Sequence, residues 1–267
     1  QEDREARGKK PLKAKEEVKT KKEIRHSTTD PESGYLYREN KPAGFFYLDH
    51  RTTDMKFNII TDAYVTPGNV HDSAPYLDRL DHQIARFGFQ VEAVALDSGY
   101  LTTPICKGLS DRRIAHRRFH PTKGLFPKWK FHYDREKNQY ICPNGQTLLY
   151  STTDRKGNRF YKSNPEKCVS CPLLENCTRS KNHQKVVSRH IWEDHKEKVR
   201  QNRLSDSGKI LYKKRKEKIE RSFADSKQLH GLRYCRLRGK QNVSEQVLLT
   251  AACQNMKKIA THLAKLG

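Results

Sequence analysis

The sequence predicts an α/β fold that is interrupted by a small cysteine-rich segment. Two observations support the α/β class. Short runs of aromatic and β-branched residues precede an amphipathic helical pattern, and an apolar run typical of a buried strand follows that helix. A third observation, four closely spaced cysteines within a basic stretch, predicts the interruption. A chain of 267 residues is long enough to bury the core that such a fold needs.

The first predicted elements are a pair of antiparallel strands. GFFYLDH, which begins at Gly44, and the following FNIITDAYV are rich in strand-forming residues and are separated by a polar segment. Pro67 and Gly68 then end the strand pattern. Between 74 and 87, large apolar residues recur every three or four positions and Gly88 follows, so we expect a helix there.

A buried strand is expected next, at residues 91–96. VEAVAL is almost wholly apolar and is bounded by turn residues, as is typical of a strand covered on both faces. This strand would place Asp97 at its carboxyl end, where open α/β sheets commonly bind ligands. Asp97 can equally begin a tight turn before Gly99, and the residues alone leave both interpretations open.

Four regions are expected along the chain. Residues 1–26 are charged and poor in large apolar side chains, and we interpret them as a linker or as the remainder of a truncated upstream region, because the sequence begins with Gln1. Residues 27–116 form the first part of the core, and 117–203 form the basic, cysteine-rich insert. Residues 204–267 complete the core with two helices, the last of them amphipathic.

The composition favours a polyanionic partner. The chain has 54 Lys and Arg against 31 Asp and Glu, a formal charge of +23. Nucleic acid is the commonest partner for such an excess, and ribosome-type binding and membrane-surface attachment are the alternatives. No apolar run approaches the ~20 residues that a membrane span needs. We therefore expect a nucleic-acid partner and no membrane partner.

One glutamate stands out on a basic segment that has helical periodicity. Residues 207–229 contain no proline and predict a helix. Lys216, Glu220 and Lys227 are four and seven residues apart and therefore share one face. Glu220 is then either a partner in surface ion pairs or a metal ligand in a site that handles phosphates.

The two singled-out acids, Asp97 and Glu220, suit phosphodiester chemistry with two metal ions. Mg²⁺ (or Mn²⁺) prefers hard oxygen ligands, and two ions about 4 Å apart activate the nucleophile and stabilise the leaving oxygen. Asp97 and Glu220 can supply two of these ligands if the Glu220 helix packs at the end of the Asp97 strand. Lys216 and Lys227 would then contact phosphate.

The cysteine cluster predicts a metal site. CxxC spacing lets two sulfurs of one turn bind one ion, and four thiolates suit tetrahedral Zn²⁺. An iron–sulfur cluster uses the same ligands, and unligated or disulfide-forming cysteines are the remaining alternatives. The four candidate ligands are Cys142, Cys168, Cys171 and Cys177.

From about Ser27 to its end, the chain resembles DDE-type insertion-sequence transposases, in the segments STTDPESGYLYRENKPAGFFYLDHRTTD, NIITDAYVTPGNVHDS, VALDSGY and IERSFADSKQLHGLRYCRLRG. The resemblance implies a ribonuclease-H-like mixed sheet flanked by helices. It also implies that Asp97 is the second catalytic Asp, Glu220 the catalytic Glu and Lys227 the Lys seven residues later. Several of these transposases have an Arg four residues before the Glu, where this chain has Lys216, and a Tyr seven before, whereas Tyr212 stands eight before.

The first catalytic Asp of that family lies on the opening strand of the core, ahead of GFFYLDH. No such strand precedes Ser27, so we expect this Asp to lie upstream of the chain, and the chain alone to be inactive or very weak. Asp30, Asp49 and Asp54 are weaker candidates for the position.

The function implied by the resemblance is DNA transposition, which implies in turn a DNA-binding protein that is cytoplasmic and nucleoid-associated. A transposase would cleave phosphodiesters at transposon ends and join them to target DNA, with a homodimer as one arrangement in the DNA complex. The alternative is a non-catalytic, zinc-stabilised nucleic-acid-binding protein, a decayed or domesticated transposase.

Overall fold

The computed structural model describes residues 1–13, 24–39, 42–112, 114 and 125–266, apart from the side chains of Ser98, Arg203 and Lys216. These residues form two compact units. The cysteine unit lies within Gln1–Lys19 and Phe119–Glu197, and the core unit lies within Thr20–Arg118 and Lys198–Gly267. Within the described part of the chain, every helix is too short or too polar to cross a lipid bilayer.

A three-stranded antiparallel sheet organises the core unit. Its strands are β1 (Gly34–Leu36), β2 (Gly44–Thr53) and β3 (Ile60–Pro67), in the order β1-β2-β3. The β2–β3 pair confirms the predicted antiparallel strand pair, with His50 opposite Tyr64. Aromatic and β-branched residues favour this pairing because their side chains pack well on a pleated surface.

A close backbone contact explains the glycine that follows β3. The Gly68 amide donates to the Phe46 carbonyl over 2.7 Å. A Cβ atom at Gly68 would lie 2.6 Å from the Gly34 carbonyl oxygen, closer than real side chains approach. Only glycine therefore fits this position without a backbone shift.

Two helices of the core unit, Tyr76–Phe87 and Lys240–Leu263, pack against its sheet, and the predicted helices are confirmed. Residues 206–229 are helical without a break but not uniformly α-helical, because a π-helical turn at Lys216–Glu220 joins two α-helices. Gly88 ends the first large helix with φ 66°, as a glycine after a helix commonly does. The helices are α2 (Tyr76–Phe87), α3 (Thr103–Asp111), α6 (Glu193–Leu204, which begins in the cysteine unit), α7 (Asp206–Arg215), α8 (Arg221–Leu229) and α9 (Lys240–Leu263).

The predicted strand at 91–96 does not form. In this segment only Ala93 makes an isolated bridge. Both sheets among the described residues are antiparallel, and their combination with helices is compatible with the predicted α/β class, whereas the mixed sheet stays a prediction. Val94 and Leu96 instead pack against a helical core that includes Leu80 and Leu109. Burial against α2 and α3 satisfies the apolar side chains without strand pairing.

The cysteine unit is built on a five-stranded antiparallel sheet. Tyr140 and Tyr161 are fully buried at its centre, so these aromatic residues belong to the core. The strands pair in chain order, and three short helices of four or five residues accompany them. The strands are β4 (His132–Asp134), β5 (Gln139–Ile141), β6 (Thr147–Thr153), β7 (Asn158–Ser163) and β8 (Val186–His190), and the short helices are α1 (Glu2–Glu5), α4 (Pro165–Val169) and α5 (Leu174–Cys177).

The amino-terminal residues form hydrogen bonds and ion pairs with strands of this sheet. Arg159 on β7 donates to Asp3 over 2.5 Å, and Arg4 donates to the Thr153 carbonyl on β6 over 2.9 Å. The sequence indicated no packing for these charged residues, because their composition lacks large apolar side chains. Ion pairs and hydrogen bonds make the contact instead.

Candidate catalytic site

Glu220 lies at the end of the π-helical turn and shares a pocket with Lys227. The side chain of Glu220 is 56% exposed. The pocket has a volume of about 400 Å³. Its lining residues are Glu220, Phe223, Ala224, Lys227, Gln228 and Arg233. Helical spacing places the acid and Lys227 on one face, as the sequence predicted.

The π-helical turn also brings Arg215 to Glu220. The guanidinium Nη2 of Arg215 donates to Glu220 Oε1 over 3.2 Å, and the same guanidinium lies 5.4 Å from the ring centroid of Tyr212. A π-turn aligns residues five apart, whereas α-helical spacing would align residues four apart. The prediction from sequence used α-helical spacing and therefore missed Arg215. The side chain of Lys216, which that spacing singled out, lies outside the described part of the structure.

Asp97 follows the apolar segment 91–96 and is exposed. Its carbonyl accepts a hydrogen bond from the Tyr100 amide over 3.1 Å, so Asp97 does begin a turn. Burial raises the pKa of the Tyr100 hydroxyl, and the carboxylates of Asp72, Asp97 and Asp49 raise it further. Three acids therefore act electrostatically on one phenol.

Asp49, on β2, is a buried carboxylate near these residues. Asp49 Oδ2 accepts from Arg51 Nη2 over 2.5 Å, whereas its Oδ1 is buried and has no hydrogen-bond partner. Burial raises the pKa of Asp49, Arg51 and Lys227 oppose the rise, and Asp62 adds to it. The charge of Lys227 therefore acts on the pKa of Asp49, and the charge of Asp49 acts on that of Tyr100. The signal in the sequence was a carboxylate inside a strand otherwise rich in aromatic residues.

Arg51 connects β2 to the helix that follows Glu220. Its side chain is fully buried, and its Nη1 donates to Ser222 Oγ over 3.1 Å and to Ser226 Oγ over 2.6 Å. Gln254 of α9 completes the network by accepting from Ser222 and donating to Ser226. The network fixes which face of α8 packs against β2 and therefore which face presents Lys227.

The carboxylates have the donor chemistry that Mg²⁺ and Mn²⁺ prefer. The unpartnered Oδ1 of Asp49 is an additional oxygen atom of that kind. Among the residues that the structure describes, no three or more His, Cys, Asp or Glu side chains are arranged to hold a metal ion. The described residues thus offer suitable ligands but not an assembled site.

The four clustered cysteines lie in or next to β5, α4 and α5 of the cysteine unit. All are free thiols, and Cys142 and Cys177 pack against the aromatic core. Burial raises the pKa of Cys177, and the neighbouring Cys142, Cys168 and Cys171 raise it further. The Asn144 amide donates to Cys171 Sγ over 3.5 Å. The thiols are neighbours, yet the zinc prediction gains no support from their arrangement, since they form no group suited to a metal.

Comparison with known proteins relates part of the chain to a family. A family model described as the transposase DDE domain matches residues 141–260, a segment that includes Glu220, Lys227 and the four clustered cysteines. No curated protein and no solved structure gave a significant match. The family match does not favour a purely non-catalytic nucleic-acid-binding protein. The match supports the resemblance to DDE-type transposases and, with it, a function related to DNA transposition, for which the family uses a polynucleotidyl transferase activity.

Proposed function

We propose that this protein is a DDE-type transposase that binds DNA, cleaves phosphodiesters at transposon ends and transfers the freed strands to target DNA. The observation that carries the proposal is Glu220, which lies in the matched segment, contacts Arg215 and shares a pocket with Lys227. An acid surrounded by cations is suited to a site that handles phosphate groups. The charge of +23 favours DNA as the partner.

The residues of the proposed site have three roles: metal binding, phosphate contact and orientation of a metal ligand. Asp97 and Glu220 would hold Mg²⁺ or Mn²⁺, which activates a nucleophilic oxygen and stabilises the leaving one. Lys216 and Lys227 contact phosphate oxygens. Arg215 orients the Glu220 carboxylate, and its guanidinium is itself positioned against Tyr212.

The proposed reaction has two displacements at phosphorus. In the first, a water oxygen bonds to phosphorus, the bond to the 3′ oxygen breaks, and that oxygen leaves as a 3′ hydroxyl. In the second, the 3′ hydroxyl attacks a phosphodiester of the target strand and displaces another 3′ oxygen. One phosphodiester is broken and one is formed, so strand transfer needs no external energy source.

The catalytic proposal is tested with the protein encoded by its complete gene. We expect Glu220→Gln and Asp97→Asn each to lower Mg²⁺-dependent cleavage of transposon-end DNA by at least ~100-fold, because loss of a ligand usually disables a metal site. Glu245→Gln is the matched control, since Glu245 is an exposed carboxylate of α9 that lines neither the Glu220 pocket nor the larger cavity bordered by α8 and α9. Full cleavage by Glu220→Gln would contradict the assignment of this glutamate.

We further propose that Cys142, Cys168, Cys171 and Cys177 bind one Zn²⁺ ion. What supports this is the spacing of the cysteines in the sequence, above all the CxxC pair Cys168 and Cys171. Purified protein is expected to contain about one zinc per chain, and Cys168→Ser with Cys171→Ser to lose it. Iron with visible absorbance would indicate an iron–sulfur cluster instead, and absence of both metals would contradict a filled site.

A further inference from the structure

A basic groove lies beside α8, on a different side of this helix from the Glu220 pocket. Neither the family match nor the catalytic proposal accounts for it. It is bounded by the β2–β3 turn, α8 and α9, and it encloses about 910 Å³. We call it the α8–α9 groove. Its charged lining consists of two carboxylates, Glu217 and Asp225, and six cations: Lys56, Lys218, Arg221, Lys257, Lys258 and Lys265.

The α8–α9 groove and the Glu220 pocket are separate surfaces. In the described part of the chain, their linings have no residue in common. Arg221, Asp225 and Leu229 face the groove, whereas Ala224 and Lys227 face the pocket. Residues 221, 225 and 229 are four apart and share one face of α8, whereas Lys227 is six positions after Arg221 and therefore lies roughly 120° around the helix from it.

The positive charge of the groove is not balanced within it. Lys258 is partly buried and donates to the Asn58 carbonyl over 2.5 Å. Burial lowers the pKa of Lys258, and the nearby cations Arg51 and Lys218 lower it further, although two carboxylates oppose them. An anion in the groove would relieve this repulsion. His230 also lines the groove, and its buried Nε2 has no hydrogen-bond partner in the described structure.

Aromatic and aliphatic side chains lie between these cations. Phe57 is 46% exposed and meets the His262 ring edge-on, with centroids 4.9 Å apart. Ile259 and Leu263 of α9 are at least half exposed beside them. Duplex DNA offers mainly phosphates to such a surface, because its bases are already stacked on each other. An unpaired strand offers both phosphates and free base faces, which is the combination that single-strand grooves use.

We infer that the α8–α9 groove binds an unpaired DNA strand, with phosphates on its lysines and arginine and a base against Phe57. The inference rests on the proposed function only in taking DNA as the partner. It assigns a second DNA-contacting surface to the protein, distinct from the face that carries Glu220.

The test compares binding of a fluorescent 20-nucleotide single strand and of a duplex of equal length. Phe57→Ala is expected to weaken single-strand binding about tenfold, since stacking of one base is commonly worth this much. Arg221→Gln with Lys257→Gln is expected to reduce the salt slope of single-strand binding by about 1.4, because each phosphate that a cation neutralises on a single strand adds about 0.7 to the slope. Duplex binding should change less than threefold with Phe57→Ala.

Lys213→Gln with Lys214→Gln is the matched control, because both lysines are exposed and lie outside the groove lining. It removes the same charge and should leave single-strand affinity within threefold of the wild type. Equal losses of affinity in the groove and control variants, or wild-type binding by Phe57→Ala, would overturn the groove assignment alone. Failure of the wild-type protein to bind either DNA would overturn the DNA partner and the groove together, whereas the Glu220→Gln cleavage test reports on the catalytic assignment separately.

Discussion

At the scale of single residues, the Asp49–Arg51 pair is the feature on which the candidate site depends most. Arg51 is fully buried and holds two serines of α8, and Asp49 balances its charge from the same strand. A buried ion pair adds little net stability when compared with apolar residues, but breaking it leaves an uncompensated charge. The pair therefore serves to position α8, and with it Lys227.

We predict that Arg51→Met destabilises the protein by about 3 kcal/mol, because Asp49 would remain buried without its cation. The expected result is a lower midpoint in urea unfolding, followed by circular dichroism. Adding Asp49→Asn to Arg51→Met removes the stranded charge and should recover part of the stability. If Arg51→Met alone were as stable as the wild type, Asp49 would have gained another partner or become protonated at little cost in free energy.

At the scale of elements, the π-helical turn decides which cation meets Glu220. A π-turn costs backbone hydrogen-bond geometry relative to an α-helix and is often found at functional sites. Here it places Arg215, five residues before Glu220, in contact with the carboxylate. Tyr212 and Arg215 each stand one residue further from Glu220 than the spacing of the resembling transposases, and a π-helical turn is about one residue longer than an α-helical turn.

The contact of α1 with the second sheet predicts a pH dependence. Burial alone would raise the pKa of Asp3, but hydrogen bonds from Arg159 and Thr153 lower it from 3.8 to about 2. A carboxyl group whose pKa is lower in the folded state stabilises the fold at pH values above its pKa in the unfolded chain. This stabilisation is lost as the pH falls from about 4 to about 2.

We therefore predict that Asp3→Asn lowers the free energy of unfolding by about 1 kcal/mol at pH 6, after allowance for solvent screening. The difference between variant and wild type should shrink as the pH approaches 2.5. Denaturant unfolding at both pH values measures it, with Glu2→Gln, at an exposed position, as the control. A difference independent of pH would mean that Asp3 contributes through packing rather than through its charge.

At the scale of the whole molecule, the charge of +23 is the dominant property. Cations that neutralise phosphates release counterions, so DNA affinity depends steeply on salt. Salt dependence separates this electrostatic binding from recognition of base edges, which changes little with salt. A homodimer in the DNA complex stays a prediction.

We predict that raising the salt concentration from 50 to 200 mM weakens duplex binding about 10³-fold, as expected for roughly six phosphate contacts. Fluorescence anisotropy over a salt series gives the slope directly. An unrelated duplex of the same length, used as a competitor, should give a similar slope because backbone contacts carry no sequence information. A slope near zero would exclude the cations as the main source of affinity.

The sequence predicted most helices and the β2–β3 pair, because their signals are local. Capping glycines, periodic leucines and β-branched runs act within a few residues of one another. The prediction of a strand at 91–96 was wrong because it depended on contacts between residues distant in sequence. Its apolar side chains indicate burial, but burial against helices and burial within a sheet give the same pattern.

The chemical groups of the protein can be read from its sequence without a structure: the excess of cations, the clustered thiols and the motifs around Asp97 and Glu220. Charge, ligand type and short spacings are properties of the chain before it folds. Which groups come into contact depends on how the chain folds: Arg215 contacts Glu220, Asp49 pairs with Arg51, and α8 and α9 border a basic groove. These contacts depend on one π-turn and on the packing of α8 and α9, which follow from the sum of many weak interactions rather than from any one motif.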